Sequence, residues 1–179
     1  DLRPCGRALR GARAEAGWTP ADVDLGNANG SSSVIYDRLE ALALAEVFGE
    51  AFPGMRVHSI KSMLGQHGAG SSALQAAAAC LTLRRGTAPP TINHEDPDPA
   101  CGPIRVLSAP ETFWPHRVLV HSIGLGGFYY SAAAFASPGG GDLGQTGIHR
   151  VQWSEGANPR FQPAGEFQRP LVPWAPRAG

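Results

Sequence analysis

Hydrophobic residues recur at helical spacing in three segments of the chain, and each of these segments ends at or just before a glycine. They predict helices over residues 5–17, 37–48 and 71–85. Short apolar or alternating runs predict strands at residues 23–28, 56–60, 104–107, 117–123 and 128–135. Helices that alternate with strands and then give way to a hairpin predict a layered α/β fold.

The pattern changes at Pro138. Residues 138–141 read Pro-Gly-Gly-Gly, and the stretch from there to Gly179 is rich in Pro, Gly, Arg and aromatic residues without any periodicity. We therefore divide the chain into a globular part, 1–137, and a linker with an extended tail, 138–179. Aromatic residues are depleted in disordered segments, so we expect the tail to lie along another surface. The chain opens without Met and its first helix has no strand before it, so we expect a piece of a longer protein.

Charge and cysteine content exclude several classes of function. Fifteen basic and fifteen acidic residues give a net charge of +0, which offers no electrostatic case for nucleic acid or an anionic membrane. No apolar run is long enough for a membrane span, and no signal peptide is visible. Three widely spaced cysteines without a CxxC predict reduced thiols rather than a zinc site, as in a cytoplasmic protein. We expect no bound metal.

Four segments carry candidate chemistry. They are NANGSSS at 27–33 followed by Asp37 and Glu40, KSMLGQHGAG at 61–70, PPTINHEDPDP at 89–99, and HSIGLGG at 121–127. Taken singly, each has an ordinary explanation. A Gly-Ser loop after a strand is usually a turn, and the glycine-rich loop before a helix matches no phosphate-loop spacing. Lys61 is the only lysine of the sequence.

In this order and spacing the four segments resemble the C-terminal half of the β-ketoacyl synthases, the thiolase-fold condensing enzymes of fatty-acid and polyketide synthesis. That half of the family reads NAHGT followed by an Asp and a Glu, then KSxxGH before a run of small residues, then NSFGFGG before the last strand. The resemblance covers residues 1–137. It implies an α/β fold that is the C-terminal half of a thiolase-like fold, with layered sheet and helices, plus an irregular C-terminal tail.

The resemblance also places the family's site residues. Family members attack an acyl thioester with a cysteine of the N-terminal half, and two histidines of the C-terminal half assist decarboxylation and stabilise the enolate. The first histidine falls at Asn29 and the second at Gln66, while Lys61 is retained and the family's acid falls at Gln75. Amides donate hydrogen bonds but do not titrate near neutral pH. His67, one place from the lost histidine, is a candidate substitute.

The family's gating Phe-Gly-Phe is also altered. The gate loop of this chain comprises Ile123, Gly124, Leu125, Gly126 and Gly127. Loss of both histidines implies a non-catalytic relative, similar in character to the chain-length factors of type II polyketide systems. Such a subunit is no enzyme by itself, binds no cofactor directly, and pairs with an active β-ketoacyl synthase. It meets phosphopantetheine on an acyl carrier protein.

Two alternatives remain open from the sequence. The chain could be the C-terminal half of an active split β-ketoacyl synthase whose nucleophilic cysteine lies on another chain. It could instead be a scaffold subunit that acts through its 138–179 tail. In each case we expect an N-terminal ketosynthase-like half as a partner, because the alanine-rich helix around residues 76–79 would otherwise leave an apolar face exposed. We therefore expect the chain alone not to be a stable monomer.

Overall fold

The computed structural model describes residues 3–124, 129–137 and 147–155. The α-helices of this part are α1 (Arg3–Glu15), α2 (Val34–Phe48), α3 (Lys61–Leu64) and α4 (Ser71–Arg85). The first five strands are β1 (Leu25–Asn27), β2 (Arg56–His58), β3 (Thr87–Ala88), β4 (Arg105–Val106) and β5 (Glu111–Thr112). They are followed by β6 (Arg117–Ile123), β7 (Tyr129–Ala136) and β8 (Gly147–Glu155). Short 3₁₀ turns lie at Pro20–Asp22, Gly49–Gly54, Gly68–Gly70 and Pro99–Cys101.

One six-stranded sheet organises the structure, with the strand order β4-β2-β1-β6-β7-β8. The neighbours among β4, β2, β1 and β6 pair in parallel, whereas β6, β7 and β8 pair in antiparallel fashion. Strands β3 and β5 form a separate two-stranded ribbon. The carboxyl ends of β1 and β6 therefore lie side by side, which places the loops that follow them at one edge of the sheet.

Helices cover both faces of this sheet. Leu119 of β6 packs into a core shared with α1 and α2, whereas Val118 and Val120 pack into a second core with α4. This alternation follows from the pleat, which points successive side chains to opposite faces. The α/β layered architecture expected from the sequence is confirmed.

Helix α4 has one buried and one open face. Ala79 is fully buried against the sheet, and Gly86 ends the helix in a left-handed conformation with φ +70. The side chains on the outward face are Ala73, Leu74, Ala77 and Leu81. Both leucines are exposed large hydrophobic residues. Of residues 76–79, where the sequence placed the apolar face, Ala77 lies on this outward face, whereas Ala79 points into the chain's own core.

Most element boundaries agree with the sequence prediction. Helix α4 and strand β6 have the predicted bounds. Helix α2 begins three residues earlier than predicted, since the hydroxyl of Ser33 accepts from the N–H of Tyr36 and caps it. The segment 61–70, predicted to be loop, contains the one-turn helix α3. The ribbon β3–β5 was not predicted either, because two-residue strands carry no periodic signal.

The strand expected to be the last one of the chain is not the last. Strand β8 lies within the segment that the sequence predicted to be a linker and tail, and it pairs antiparallel with β7. The sequence prediction missed this strand because apolar and polar residues alternate in it only over residues 151–154. The remainder of 138–179 lies outside the described residues.

Candidate functional site

A cavity of about 400 Å³ opens at the carboxyl ends of β1 and β6. Asn29, Lys61 and Gln66, the three family-site positions, all line it. Ile123 and Gly124 of the gate loop line it as well, whereas Leu125, Gly126 and Gly127 lie outside the described residues. The structure therefore brings together residues from three separate motifs, as the resemblance implies.

The amide of Asn29 is held in one orientation. Its Oδ1 accepts from the ammonium of Lys61 and from the backbone N–H of Ile123, 3.1 Å away. Both partners can only donate, so this atom must be the oxygen and not the nitrogen. The amide nitrogen forms no hydrogen bond within the described part of the chain. Asn29 therefore offers the cavity N–H donors and no titratable group.

Lys61 begins helix α3 and is buried. Burial lowers the pKa of its ammonium, and the carboxylates of Glu40 and Asp37 partly oppose that shift. Its ammonium group donates a hydrogen bond to Oδ1 of Asn29. Lys61 thus fixes the orientation of the amide that lines the same cavity.

The backbone of the Asn29 loop is held by a buried carboxylate. Glu40 of α2 accepts from the N–H of Asn29 at 2.6 Å and from the N–H of Gly30 at 2.9 Å. Its Oε1 also lies 3.0 Å from Nδ1 of His121. Burial alone would raise the pKa of the Glu40 carboxyl, but His121 and the two N–H groups outweigh burial and lower it. Glu40 and His121 stand in the quoted motifs, yet neither was assigned a role from the sequence.

Gln75 joins α4 to the ends of β1 and β6. Its side chain is fully buried, and its Nε2 donates to the carbonyl of Ala28 at 2.9 Å and to that of His121 at 3.0 Å. Its Oε1 accepts from the hydroxyl of Ser122. An amide meets this set of one donor and two acceptors, which an ionised acid would not. Glutamine at the position of the family's acid is therefore matched to its surroundings here.

The second family-site position is much less constrained. Gln66 is exposed and lines the cavity without a side-chain hydrogen bond to any described residue. His67 is exposed too, and its Nε2 lies 2.6 Å from the carbonyl oxygen of Leu64. His67 does not line the cavity. The geometry brings Gln66, and not its neighbour, to the site.

The proline-rich segment is bonded to the segment around Lys61, which explains why both motifs occur together. Nδ1 of His58 lies 3.0 Å from the carbonyl oxygen of Pro89, and the N–H of Ser59 donates to the hydroxyl of Thr91. Burial lowers the pKa of His58 to about 4, against the opposing effect of the Pro89 carbonyl. The segment 89–99 therefore buttresses the strand that leads to Lys61.

Metal sites, cysteine thiols and membrane-spanning helices are the remaining features of the described residues. Within residues 3–124, 129–137 and 147–155, no cluster of three or more His, Cys, Asp or Glu side chains could hold a metal ion. Cys5, Cys80 and Cys101 are free thiols. No helix in the described ranges combines the length and the apolar character needed to cross a bilayer.

Two curated relatives match most of the chain. It is 42% identical over 129 residues to the tetracenomycin polyketide synthase ketoacyl synthase beta subunit of Streptomyces glaucescens, covering 70% of the chain and 31% of that protein. It is 36% identical over 141 residues to the alpha subunit of the same synthase, covering 76% of the chain and 33% of that protein. The chain thus spans about a third of the length of these relatives.

Solved structures agree with these relatives. The ishigamide ketosynthase/chain length factor superposes with a TM-score of 0.68 at 32% identity, covering 74% of this chain and 32% of that one. The AntDE:AntF complex, a type II PKS acyl-carrier protein in complex with its ketosynthase bound to the hexaketide, gives 0.70 at 29% identity, covering 75% and 33%. The fold is therefore the thiolase-like fold of the ketosynthases.

The family model for the C-terminal domain of beta-ketoacyl synthases matches residues 3–95, just over half of the chain. That range contains Asn29, Lys61, Gln66 and Gln75 at the positions discussed above. The chain belongs to the β-ketoacyl synthase family.

Proposed function

We propose that this chain is part of a non-catalytic, chain-length-factor-like subunit that pairs with an active β-ketoacyl-ACP synthase during polyketide or fatty-acid chain elongation. The observation that carries the proposal is the amide of Asn29. It stands at a cavity where the family has a histidine, and its oxygen is fully engaged by Lys61 and Ile123. What remains is a neutral N–H donor that cannot exchange a proton near neutral pH.

The rest of the cavity supports the same proposal. Gln66 also presents an amide, and the ring of His67 is engaged with the carbonyl of Leu64 instead of the cavity. Lys61 is committed to Asn29. General acid–base catalysis needs a group that gains or loses a proton at the operating pH. Neither position that the family uses for this purpose supplies one here.

The partners in this proposal are an N-terminal ketosynthase-like half, an active ketosynthase subunit and an acyl carrier protein. Leu74 and Leu81, 38% and 48% exposed, lie on the outer face of α4, which the described residues leave uncovered, and the matched part of this chain covers only 31% of the tetracenomycin beta subunit. The N-terminal part of the same protein is the simplest cover for that face. Phosphopantetheine would arrive on the carrier protein, no cofactor would be bound directly, and the location would be cytoplasmic.

Turnover of the reconstituted assembly tests the proposal. The full-length protein that contains this chain is combined with its partner synthase and carrier protein, and Asn29→Ala and Gln66→Ala are compared with the wild type. We expect the elongation rate to stay within about twofold, since removing a donor that takes part in catalysis costs about 10²- to 10³-fold. Asn93→Ala, an exposed asparagine outside the cavity lining, is the matched control. A hundredfold loss in Asn29→Ala alone would contradict the proposal.

A second candidate is the C-terminal half of an active split synthase whose cysteine lies on another chain. Two observations favour it: the free N–H groups of Asn29 could polarise a carbonyl, and the chain is 36% identical to a ketoacyl synthase alpha subunit. The same turnover assay separates the two candidates, because this one predicts the large loss in Asn29→Ala.

The third candidate, a scaffold acting through 138–179, is supported by β8, which joins the sheet from within that segment. Truncation at Pro138 would remove β8 and expose the edge of β7. The scaffold candidate predicts that the truncated protein loses its partners while the 1–137 part keeps its fold. The first candidate predicts that the partner synthase is still bound. Co-purification with the partner and a thermal melt distinguish the two results.

A further inference from the structure

Glu40 is a carboxylate in a place that disfavours charge. Its side chain is 5% exposed, and its contacts hold the backbone of the Asn29 loop by the N–H groups of Asn29 and Gly30. An isolated ionised carboxylate in such a place is costly unless a counter-charge accompanies it. The conformation of the Asn29 loop therefore depends on the groups that stabilise the Glu40 carboxylate.

The ring of His121 lies directly against Glu40. Its side chain is 2% exposed, and its Nδ1 lies 3.0 Å from Oε1 of Glu40. Neither ring nitrogen has a hydrogen bond of good geometry to a described residue. Because successive strand residues point to opposite faces, His121 meets α2 while Ser122 bonds to Gln75 of α4.

We infer that His121 is a positioning residue for Asn29, acting through Glu40. The ring of His121 lies against the buried carboxylate, the carboxylate holds the backbone N–H groups of the loop, and the loop presents the Asn29 amide to the cavity. His121 itself does not line that cavity. The inference rests on the proposed function only for the importance it gives to Asn29.

The other charged or titratable groups around Glu40 do not replace His121. Asp37 on the same helix is a like charge, and the thiol of Cys5 from α1 is a further group that feels the Glu40 charge. Lys61 from α3 attracts Glu40, but its ammonium is bonded to Oδ1 of Asn29. Of these side chains in the described structure, His121 is the one that lies 3.0 Å from the Glu40 carboxylate.

Positions 29 and 121 also differ from the family pattern in a related way. The resemblance places a histidine at position 29 and an asparagine at position 121, and this chain has the reverse at both. Position 29 bonds to the backbone of Ile123, two residues from His121, so the two sites are neighbours.

Hydrogen exchange measures this support without any turnover assay. The full-length protein in its native assembly is prepared as wild type, His121→Leu, His121→Asn and His116→Leu. The control His116 is an exposed histidine close to His121 in sequence. We expect His121→Leu to speed exchange at the N–H groups of Asn29 and Gly30 about tenfold or more, equal to ~1.4 kcal/mol of local stability. Helix α4 and the His116→Leu variant should match the wild type.

His121→Asn supplies the readout that a purely structural role would not move. It keeps a polar side chain but removes the ring that contacts Glu40. At pH 7 we therefore expect hydrogen-exchange protection between that of the wild type and that of His121→Leu. The loss of protection on acidification should begin at a higher pH than in the wild type, because removing His121 raises the pKa of Glu40. If His121→Leu fails to fold, the pH profile of His121→Asn decides alone. Wild-type protection of Asn29 and Gly30 at every pH in the folded variants would overturn the inference. That result would leave the proposed function standing.

Discussion

Asn29 and Gln66 stand where the family resemblance places histidines, but the chain holds them in opposite ways. Asn29 is buried, its amide oxygen has two donors, and its backbone N–H is bonded to Glu40. Gln66, between Gly65 and His67, is exposed and makes no side-chain hydrogen bond with described residues. The first position is thus held by several contacts within the described part of the chain, and the second is not.

The difference shows that a position without a titratable side chain can still be held by several hydrogen bonds. Position 29 carries no titratable side chain, yet Glu40, Lys61 and Gln75 all form hydrogen bonds around it. Leaving a buried polar group without a hydrogen-bond partner costs free energy, so we expect substitutions in the network around Asn29 to lower the free energy of unfolding. We expect substitutions at Gln66 to leave that free energy nearly unchanged.

Gln75→Glu should give the largest effect. The carboxylate could not donate to the carbonyls of Ala28 and His121, and it would leave an uncompensated charge in a fully buried place. We expect a loss of about 3 kcal/mol or more in the free energy of unfolding. Urea denaturation of the assembled protein measures it, with Gln66→Glu as the exposed control. Equal midpoints for Gln75→Glu and the control would break the comparison between the two regions.

Glu40→Gln should give an intermediate effect that depends on pH. The amide cannot accept from both Asn29 and Gly30 with the strength of a charge, so we expect a loss of about 2 kcal/mol at pH 7. The folded-state pKa of Glu40 is lowered, so its contribution is complete above the unfolded value of about 4.3 and is lost as the pH falls through the folded pKa. Unfolding free energies measured from pH 7 to pH 3 should therefore converge for wild type and variant. A difference that stays constant over that range would argue against an ionised Glu40.

Gln66→Ala should give the smallest effect, below about 0.5 kcal/mol, because an exposed side chain without partners contributes little to stability. The same urea series measures it. A loss close to that of Glu40→Gln would mean that the rest of the assembly bonds Gln66 tightly, and the contrast with Asn29 would then disappear.

The sequence predicted the elements with strong periodicity and clear ends. The alanine-rich pattern and Gly86 were sufficient for α4, and the apolar run of β6 was sufficient for that strand. The structure places Asn29, Lys61 and Gln66 in the lining of one cavity. The agreement for α4 and β6 comes from local signals, namely a hydrophobic period and a helix cap.

What the sequence could not predict depends on contacts distant along the chain. His121 and Glu40 are 81 positions apart and meet only when β6 and α2 cover the same loop. The fit of Gln75 requires the carbonyl of Ala28, just after β1, and that of His121 in β6. Helix α3 is a single turn that ends at Gly65, and β8 alternates only over residues 151–154. The one indication of His121 in the sequence is that its neighbours are apolar or small.

The central claim is that the subunit containing this chain does not carry out the condensation chemistry itself. Intact-mass analysis of the reconstituted assembly after exposure to an acyl thioester shows which subunit becomes acylated on cysteine. Our account predicts the acyl mass on the partner synthase alone. An acyl group on the subunit formed by this chain and its N-terminal part would contradict it.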